Sequence, residues 1–326
     1  MRKLLFLLAI GLMTTSTSAQ FKRVATAGFA FLEVPVTARY SAVGEVGLTL
    51  SNAGAEALFT NPALLAFSNG KHFFSISFGN YLAQTRQQAL GYGISLGDAG
   101  IFGLSIYRLD EGTMTHTENA DPNNPGAGYR ILGTFNADDI AIGLTYVRKL
   151  TDHFSFGGTV KFVQERIAQF RATNELLDFG MIYFTGFRSL RIAGEVQNFG
   201  VDARFKGNIT PDSSITGDNF RMPVAFRIGA AMEVIGNYDS PSRLTLAFEG
   251  LHPSDYTERL NIGAEYWYEN KVALRAGYKF NYDEEGLTSG MGINGSMFSV
   301  PGELDVSYTA YGRLGYVLRV SLLLSF

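Results

Sequence analysis

One stretch near the end of the chain has the spacing of a nucleotide-binding loop. Gly290, Gly292 and Gly295 match Gly-x-Gly-x-x-Gly, a pattern whose backbone amides approach a pyrophosphate at the start of a helix. It functions only between a strand and a helix, and here Phe298 and Pro301 follow without a helical pattern. We therefore expect the glycines to leave one face of a strand without side chains, and we expect no bound cofactor.

Residue types used in hydrolytic and metal sites are present, but they are not grouped. His72, His116, His153 and His252 are scattered, whereas zinc ligands usually recur a few residues apart. A Ser-His-Asp set assembled across strands stays open, because such triads are recognised by geometry. The acidic stretch 118–124 offers oxygen ligands to Ca²⁺, with a solvated loop as the alternative. We expect a protein that is not an enzyme and has no catalytic residue or protein-bound metal.

Composition excludes several classes of protein. Charged residues make up 17% and aromatic residues 13%, with 37 glycines, whereas soluble domains carry about 25% charged residues. The net charge of -3 argues against a nucleic-acid partner, because phosphate contacts require a basic face. With no cysteine there is no disulfide or thiol chemistry. The fold must rest on hydrogen bonds and packing.

Residues 1–19 have the pattern of a secretory signal peptide. Arg2 and Lys3 precede an apolar run at 4–13, and small residues lead to a cleavage point before Gln20. Beyond it, the chain has no uncharged run near the roughly 20 residues that a membrane helix needs. The sequence thus predicts export without a membrane-spanning helix.

The remaining chain divides into two parts. In residues 20–70 strict alternation is absent, small residues are frequent, and Asn61-Pro62 marks a turn. We expect short helices and turns packed as one unit. From 71 to 326 apolar residues recur with a period of two, which indicates about fourteen strands. These predicted strands lie near 74–78, 90–96, 102–106, 140–146, 154–162, 176–185, 189–198, 223–235, 242–251, 256–268, 271–282, 287–298, 302–310 and 315–326.

The last strand shows what the alternation builds. One face of 315–326 is apolar from Tyr316 to Phe326, and the other is mostly small or polar and includes Arg319. Similar strands carry charges opposite their apolar rows, and these we assign to the inside: Lys161, Arg191, Glu195, Arg227, Glu233, Glu249, Glu265, Arg275, Lys279, Glu303, Asp305 and Arg319. We expect Arg319 to pair with Glu303 or Asp305 on the preceding strand.

The same alternation fits a soluble sandwich with a solvated outer face, if a strand is taken alone. The rows are ring-rich on nearly every strand, however, and the strands approach the 9 to 11 residues of a tilted membrane span. We therefore predict an all-β fold, a transmembrane antiparallel β-barrel in contact with outer-membrane lipid. The long gaps 109–136 and 200–222 follow odd strands and fall outside, which leaves both termini in the periplasm.

Two stretches resemble known proteins. Phe326 as a terminal aromatic resembles the signal that outer-membrane barrels of Gram-negative bacteria present to the barrel assembly machinery. Residues 31–65 resemble the opening of the PorV/PorQ group of the FadL-like superfamily, and the matching positions include Ala38, Arg39, Gly44, Asn61, Pro62 and Ala63. This resemblance implies a barrel of fourteen strands whose N-terminal segment, here residues 20–70, folds in the lumen as a hatch.

Two functions follow from the resemblance. The first is a component of type IX secretion, whose partners would be secretion components and secreted cargo proteins bound at the outer loops. The second is FadL-like transport of a hydrophobic ligand. A transporter needs a concave apolar pocket, whereas the predicted inner face is dense in charge. That contrast favours the secretion role at the level of sequence.

Overall fold

The structure is a computed structural model that describes residues 26–121, 123–124, 126, 128–210 and 213–326, so the predicted signal peptide lies outside the described residues. Fourteen antiparallel strands form a closed barrel, which confirms the predicted fold class. Two further short strands, β8 and β9, form a hairpin outside the ring. The sixteen strands are β1 (His72–Asn80), β2 (Arg86–Ser95), β3 (Ile101–Asn119), β4 (Tyr129–Thr151), β5 (Phe154–Ile167), β6 (Phe170–Phe184), β7 (Arg191–Phe199), β8 (Lys206–Thr210), β9 (Ser213–Thr216), β10 (Ala225–Ile235), β11 (Arg243–Pro253), β12 (Arg259–Tyr268), β13 (Val272–Phe280), β14 (Leu287–Asn294), β15 (Gly302–Ala310) and β16 (Tyr316–Ser325).

The first and last barrel strands close the ring. β1 pairs with β16 from Phe73 opposite Ser325 to Asn80 opposite Leu318. The carboxyl-terminal residue extends this contact, because the Phe326 carbonyl accepts the backbone N–H groups of Lys71 and His72. Closure leaves none of the fourteen described barrel strands at a free sheet edge.

Burial alternates along the strands with the predicted faces. On β16, Leu318 and Val320 are 45% and 43% exposed on the outside, whereas Arg319 and Ser321 are 0% and 1% exposed on the inside. The wall is therefore apolar outward and polar inward, because successive side chains of a strand point to opposite faces.

The barrel has two distinct ends. The terminal end carries the start of β1 and the end of β16, and the hairpin end lies opposite. At the hairpin end, β3 and β4 continue as a paired ribbon up to Asn119 and Tyr129. The expectation that 109–136 is a long loop is therefore wrong, since β3 and β4 cover residues 109–119 and 129–136. The gap 200–222 likewise contains the hairpin of β8 and β9.

Residues 26–70, called the hatch below, pack against inward-facing side chains of the barrel wall. The hatch contains one α-helix, α1 (Ala38–Ala42), and three 3-10 helices at Ala30–Glu33, Gly54–Phe59 and Pro62–Phe67. Its hydrogen-bond partners lie on strands around the ring, including Ser77 of β1, Ser155 of β5 and Thr288 of β14. Four more 3-10 turns connect strands, at Leu82–Gln84, Gly97–Ala99, Gly295–Phe298 and Gly312–Leu314. No helix in the described residues is long and apolar enough to cross a membrane.

Glycines let the hatch backbone touch the wall. A Cβ on Gly277 would lie 2.2 Å from the Gly44 amide nitrogen, and one on Gly263 would lie 2.2 Å from the Val43 carbonyl oxygen. Gly263 and Gly277 are cross-strand partners, so together they form a flat seat. Gly44 itself has a φ of 73°, a conformation that residues with a side chain adopt at a cost. The seat therefore depends on all three glycines.

The nucleotide-loop spacing has the structural role that the sequence favoured. Gly290 admits the Ala42 methyl group, and Gly292 leaves room for the ion pair of Arg275 and Asp305. β14 ends at Asn294 and not at 298 as predicted, because a one-turn 3-10 helix follows. That turn joins two antiparallel strands, so the βαβ unit that nucleotide binding requires is not formed here.

Candidate functional site

Arg39 of the hatch sits in a buried ion-pair network. Its Nε and Nη2 atoms each donate to the Glu265 carboxylate at 2.8 Å. Glu265 also accepts from Arg275 Nε at 2.6 Å. Arg275 in turn binds Glu303 and Asp305. One helix of the hatch is thereby tied to β12, β13 and β15 through charged hydrogen bonds, which are stronger than neutral ones.

A second network joins Arg227 to both the wall and the hatch. Arg227 donates to Glu249 at 2.7 Å and to Glu195 at 3.0 Å. Its Nη2 atom donates to the Tyr40 hydroxyl at 2.8 Å. Glu249 also accepts the backbone N–H of Leu48 at 3.2 Å. Sequence reasoning placed the three charged residues inside but missed Tyr40, whose only signal is a polar ring beside Arg39.

Four more of the predicted inward charges are paired. Arg191 donates to Glu233 at 2.9 Å and also reaches the Thr49 carbonyl of the hatch. Lys279 binds Glu45 of the hatch and Glu285. Lys161 pairs with Asp178 at 2.8 Å. Glu45 was missed as a partner, although a carboxylate in an otherwise small and apolar stretch is a usable signal.

Arg319 does not make the predicted ion pair. Its Nε atom donates to Gln87 Oε1 at 2.8 Å, and its guanidinium lies 5.8 Å from the centre of the Tyr81 ring. Glu303 and Asp305 bind Arg275 instead, since β13, β14 and β15 bring that guanidinium between them. The prediction assumed that the acidic residues on the strand preceding Arg319 would be its nearest partners, and this assumption was wrong.

Asn61 starts a helix and also holds the wall. Its Oδ1 accepts from the Ala63 N–H at 3.1 Å, and Pro62 occupies the first position of the 3-10 helix Pro62–Phe67. The Asn61 amide donates to the carbonyls of Leu48 and Met181 at 3.0 and 3.1 Å. The predicted turn at Asn61-Pro62 therefore does more than redirect the chain, because Asn61 begins the next helix and joins the hatch to β6.

A cavity of about 300 Å³ opens at the hairpin end of the barrel. The hatch residues 30–36 form one side, and the hairpin ends of β7, β10, β11, β12 and β13 form the other. Rings and charges alternate over its surface: the lining includes Tyr40, Phe59, Tyr81, Tyr282, Glu33, Glu45, Arg227, Arg259, Lys279 and Glu285. Ligand pockets commonly range from about 300 to 1,000 Å³, so this cavity has the size of a small-molecule pocket.

Arg259 is the cation in this cavity that sequence reasoning missed. Its guanidinium lies between the rings of Tyr256 and Tyr282, at 4.3 and 4.4 Å from their centres. Within the described part of the chain it joins no salt bridge. Opposite it, partial desolvation and the charge of Asp255 raise the pKa of Glu33 to about 7. The cavity thus offers one uncommitted cation and one carboxyl that titrates near neutral pH.

Two patterns, one suggestive of hydrolysis and one of metal binding, lie at the end of β2 and at the ribbon of β3 and β4. Gly93, Ser95 and Gly97 have the spacing of a nucleophile elbow, but Ser95 ends β2 and a single 3-10 turn leads into β3. Among the residues that the structure describes, no three acidic, His or Cys side chains converge as metal ligands. In the acidic stretch Glu118 pairs with Arg130 at 2.9 Å, and residue 122 lies outside the described residues.

Comparison with known proteins rests on structure, since neither a family model nor a curated protein matches the sequence. The CymD monoaromatic hydrocarbon channel superposes with a TM-score of 0.58 at 12% identity, covering 90% of this chain and 98% of that chain. The P. putida toluene transporter TodX gives 0.59 at 13% identity, covering 88% and 98%. A Pseudomonas aeruginosa FadL homologue gives 0.57 at 15% identity, covering 90% and 99%.

This chain has the fold of those FadL-type barrels. At such identities the likeness establishes architecture and leaves the ligand open. The matched lengths are nearly complete on both sides, so the FadL-type fold accounts for the whole described barrel and not for a fragment of it.

Proposed function

We propose that this protein is an outer-membrane barrel of a Gram-negative bacterium that admits a small molecule from the outside by displacement of its hatch. The observation that carries the proposal is the cavity of about 300 Å³ between hatch and wall at the hairpin end. The outward apolar face, the closed ring and the FadL-type fold support a membrane setting. In this arrangement both termini face the periplasm, and the hairpin end faces outward.

The described part of the hatch is bonded to strands around the ring, so the proposed uptake requires the hatch to move. Buried ion pairs of Arg39 and Glu45, together with a hydrogen bond from Arg191 to the Thr49 carbonyl, hold it to the wall. Removing one member of such a pair is strongly destabilising, by about 3 to 5 kcal/mol. A ligand that competes for these groups would therefore favour release of the hatch, because it offers the charged groups an alternative partner.

The cavity lining indicates an amphipathic substrate. The rings of Tyr81, Phe59 and Tyr282 suit an apolar or aromatic body. Arg259 and Glu33 suit a polar group at one end of the molecule. The structural neighbours include a monoaromatic hydrocarbon channel and a toluene transporter, and the charged groups here extend that class of ligand toward molecules with a polar head.

A cysteine pair tests whether the hatch must move. The natural chain has no cysteine, and the Ser155 hydroxyl donates to the Ala63 carbonyl at 2.7 Å, so Ala63→Cys with Ser155→Cys puts one thiol on each side of a contact between hatch and wall. Oxidation, followed by gel mobility, should block uptake of a labelled small aromatic acid or hydrocarbon into cells, and reduction should restore it. The single cysteine variants are the controls. Unchanged uptake by the fully cross-linked protein would contradict the proposal.

A second candidate function is the secretion-associated role implied by the PorV/PorQ resemblance, which stays a prediction. One surface favours it: the ribbon of β3 and β4 extends beyond the barrel and exposes 70% of Tyr129 and 66% of Ile131. Such apolar exposure suits contact with secreted cargo or secretion components. Deleting the gene and measuring both surface-protein attachment and uptake separates the two. If the deletion strain loses surface-protein attachment but takes up the small molecule normally, the secretion-associated role is favoured.

A further inference from the structure

A second cavity opens at the terminal end of the barrel, on the opposite side of the hatch from the first. It measures about 370 Å³ and is formed by Phe67 of the hatch and by the turns that follow β4, β6 and β10. Neither the fold nor the uptake proposal assigns it a role. Its size is that of a small-ligand site, and the described residues around it combine two features.

The first feature is a row of three aromatic rings. The rings of Phe67 and Phe184 lie 4.6 Å apart and are tilted by 56°. Phe184 meets the ring of Tyr238 edge-on at 5.8 Å. All three residues line the cavity. This arrangement presents both faces and edges of rings, which is the geometry that a flat aromatic ligand prefers.

The second feature is an excess of uncommitted positive charge. Arg188 lines the cavity, and within the described residues it takes part in no salt bridge. Beside Tyr238, buried Arg191 has an Nη2 atom without a hydrogen-bond partner among the described residues. The one lining carboxylate, Asp152, is paired with Lys149 at 3.1 Å. The charge left for a ligand is therefore cationic.

We propose that this cavity binds a small aromatic carboxylate. The ring lies against Phe67, Phe184 and Tyr238, and the carboxylate accepts hydrogen bonds from the Arg188 guanidinium, whose planar fork matches a carboxylate. A role for this cavity as the final binding site on the uptake route rests on the proposed function. As a binding site it stands independently, since binding needs no movement of the hatch.

The test measures binding to the full mature chain in detergent, with benzoate as the probe and toluene as its uncharged counterpart. Arg188 has a φ of 52°, so Arg188→Asn keeps a residue that tolerates this conformation. It should weaken benzoate about 10- to 100-fold, the change expected for losing a charged hydrogen bond, and leave toluene unchanged. Tyr238→Leu should weaken both probes. Arg148→Asn, also exposed at the terminal end, is the matched control and should change neither.

Three results would overturn the proposal. They are the absence of benzoate binding by the wild-type chain, unchanged benzoate affinity in Arg188→Asn, and loss of binding through Arg259→Gln, which would place the ligand in the hairpin-end cavity. Transport assays keep this separate from the uptake proposal. If benzoate binds but is not taken up, the transport proposal is contradicted and the binding-site proposal stands. If uptake occurs without this binding, the binding-site proposal is contradicted and the transport proposal stands.

Discussion

Arg39 of the hatch and Glu265 of β12 form a two-point contact, with both hydrogen bonds at 2.8 Å and each side chain only 3% exposed. The two residues are separated by 226 positions in the chain. Arg275 binds the same carboxylate, so Glu265 balances two guanidinium groups at once. The contact therefore ties the position of the hatch to the charge balance of the wall.

Arg39→Leu should loosen the hatch and leave the barrel intact. The substitution leaves Glu265 with one cation, and breaking a buried pair costs about 3 to 5 kcal/mol. Protease sensitivity and hydrogen exchange of residues 26–70 should rise, while the mobility difference between unboiled and boiled protein on a detergent gel stays. Arg313→Leu breaks an exposed pair with Glu284 and should change little. Undiminished protection of the hatch in Arg39→Leu would show that the pair does not hold it.

Gly277→Ala should prevent the hatch from seating. The new Cβ at position 277 would lie 2.2 Å from the Gly44 nitrogen. This is a backbone atom, so no side-chain rotation can relieve the clash. The matched control is Gly158→Ala in β5, whose Cβ would meet its nearest atom at 3.6 Å. Hydrogen exchange of residues 38–50 should accelerate in the first variant only. Equal exchange in both variants would mean that the glycine seat is dispensable.

The seating of the hatch should weaken as pH rises through the range 4.5 to 7. Glu56 is 4% exposed, and desolvation raises its pKa from 4.5 to about 7. The seated form then holds the proton more tightly. The stability that Glu56 contributes to seating is therefore fully present below pH 4.5 and is lost as the pH rises through about 7, a change on the order of 3 kcal/mol. Glu56→Gln should abolish this loss.

The measurement is hatch protection from hydrogen exchange at several pH values, corrected for the intrinsic rate. It belongs in a Glu33→Gln background, because Glu33 titrates in the same window. Glu118→Gln, at the exposed hairpin, is the control. A Glu56→Gln protein that keeps the full pH dependence would assign the effect to another group.

Val320→Arg should impair assembly in a membrane. Val320 is 43% exposed on the outer face in the middle of β16, and an arginine near the bilayer midplane costs about 2 to 4 kcal/mol. Leu314→Arg lies in the turn between β15 and β16, is 60% exposed, and should be tolerated. Folding yield in lipid vesicles measures both. Equal yields would argue against lipid contact at this face. Ser321→Arg is unsuitable as a control, because Ser321 Oγ accepts the Ala38 N–H at 2.8 Å.

The number of barrel strands and their faces followed from the amino-acid sequence, because alternation is a local property. Each strand encodes its own inward and outward rows, and Arg319 and Val320 fall correctly without knowledge of any neighbour. The ends of strands were less well predicted. β3 continues to Asn119 through a polar stretch that has no alternating apolar residues. This part of the strand is stabilised by its pairing with β4.

Only the tertiary structure decided which groups meet. Arg319 faces Gln87 and Arg275 faces Glu265, Glu303 and Asp305 because of the register of successive strands and the path of the hatch across them. Both cavities arise in the same way, from segments far apart in the chain. The sequence by itself determined a wall with an apolar outside and a charged inside. Closure of the ring around the hatch determined how those charges pair and where space is left, since both depend on long-range geometry that no single strand contains.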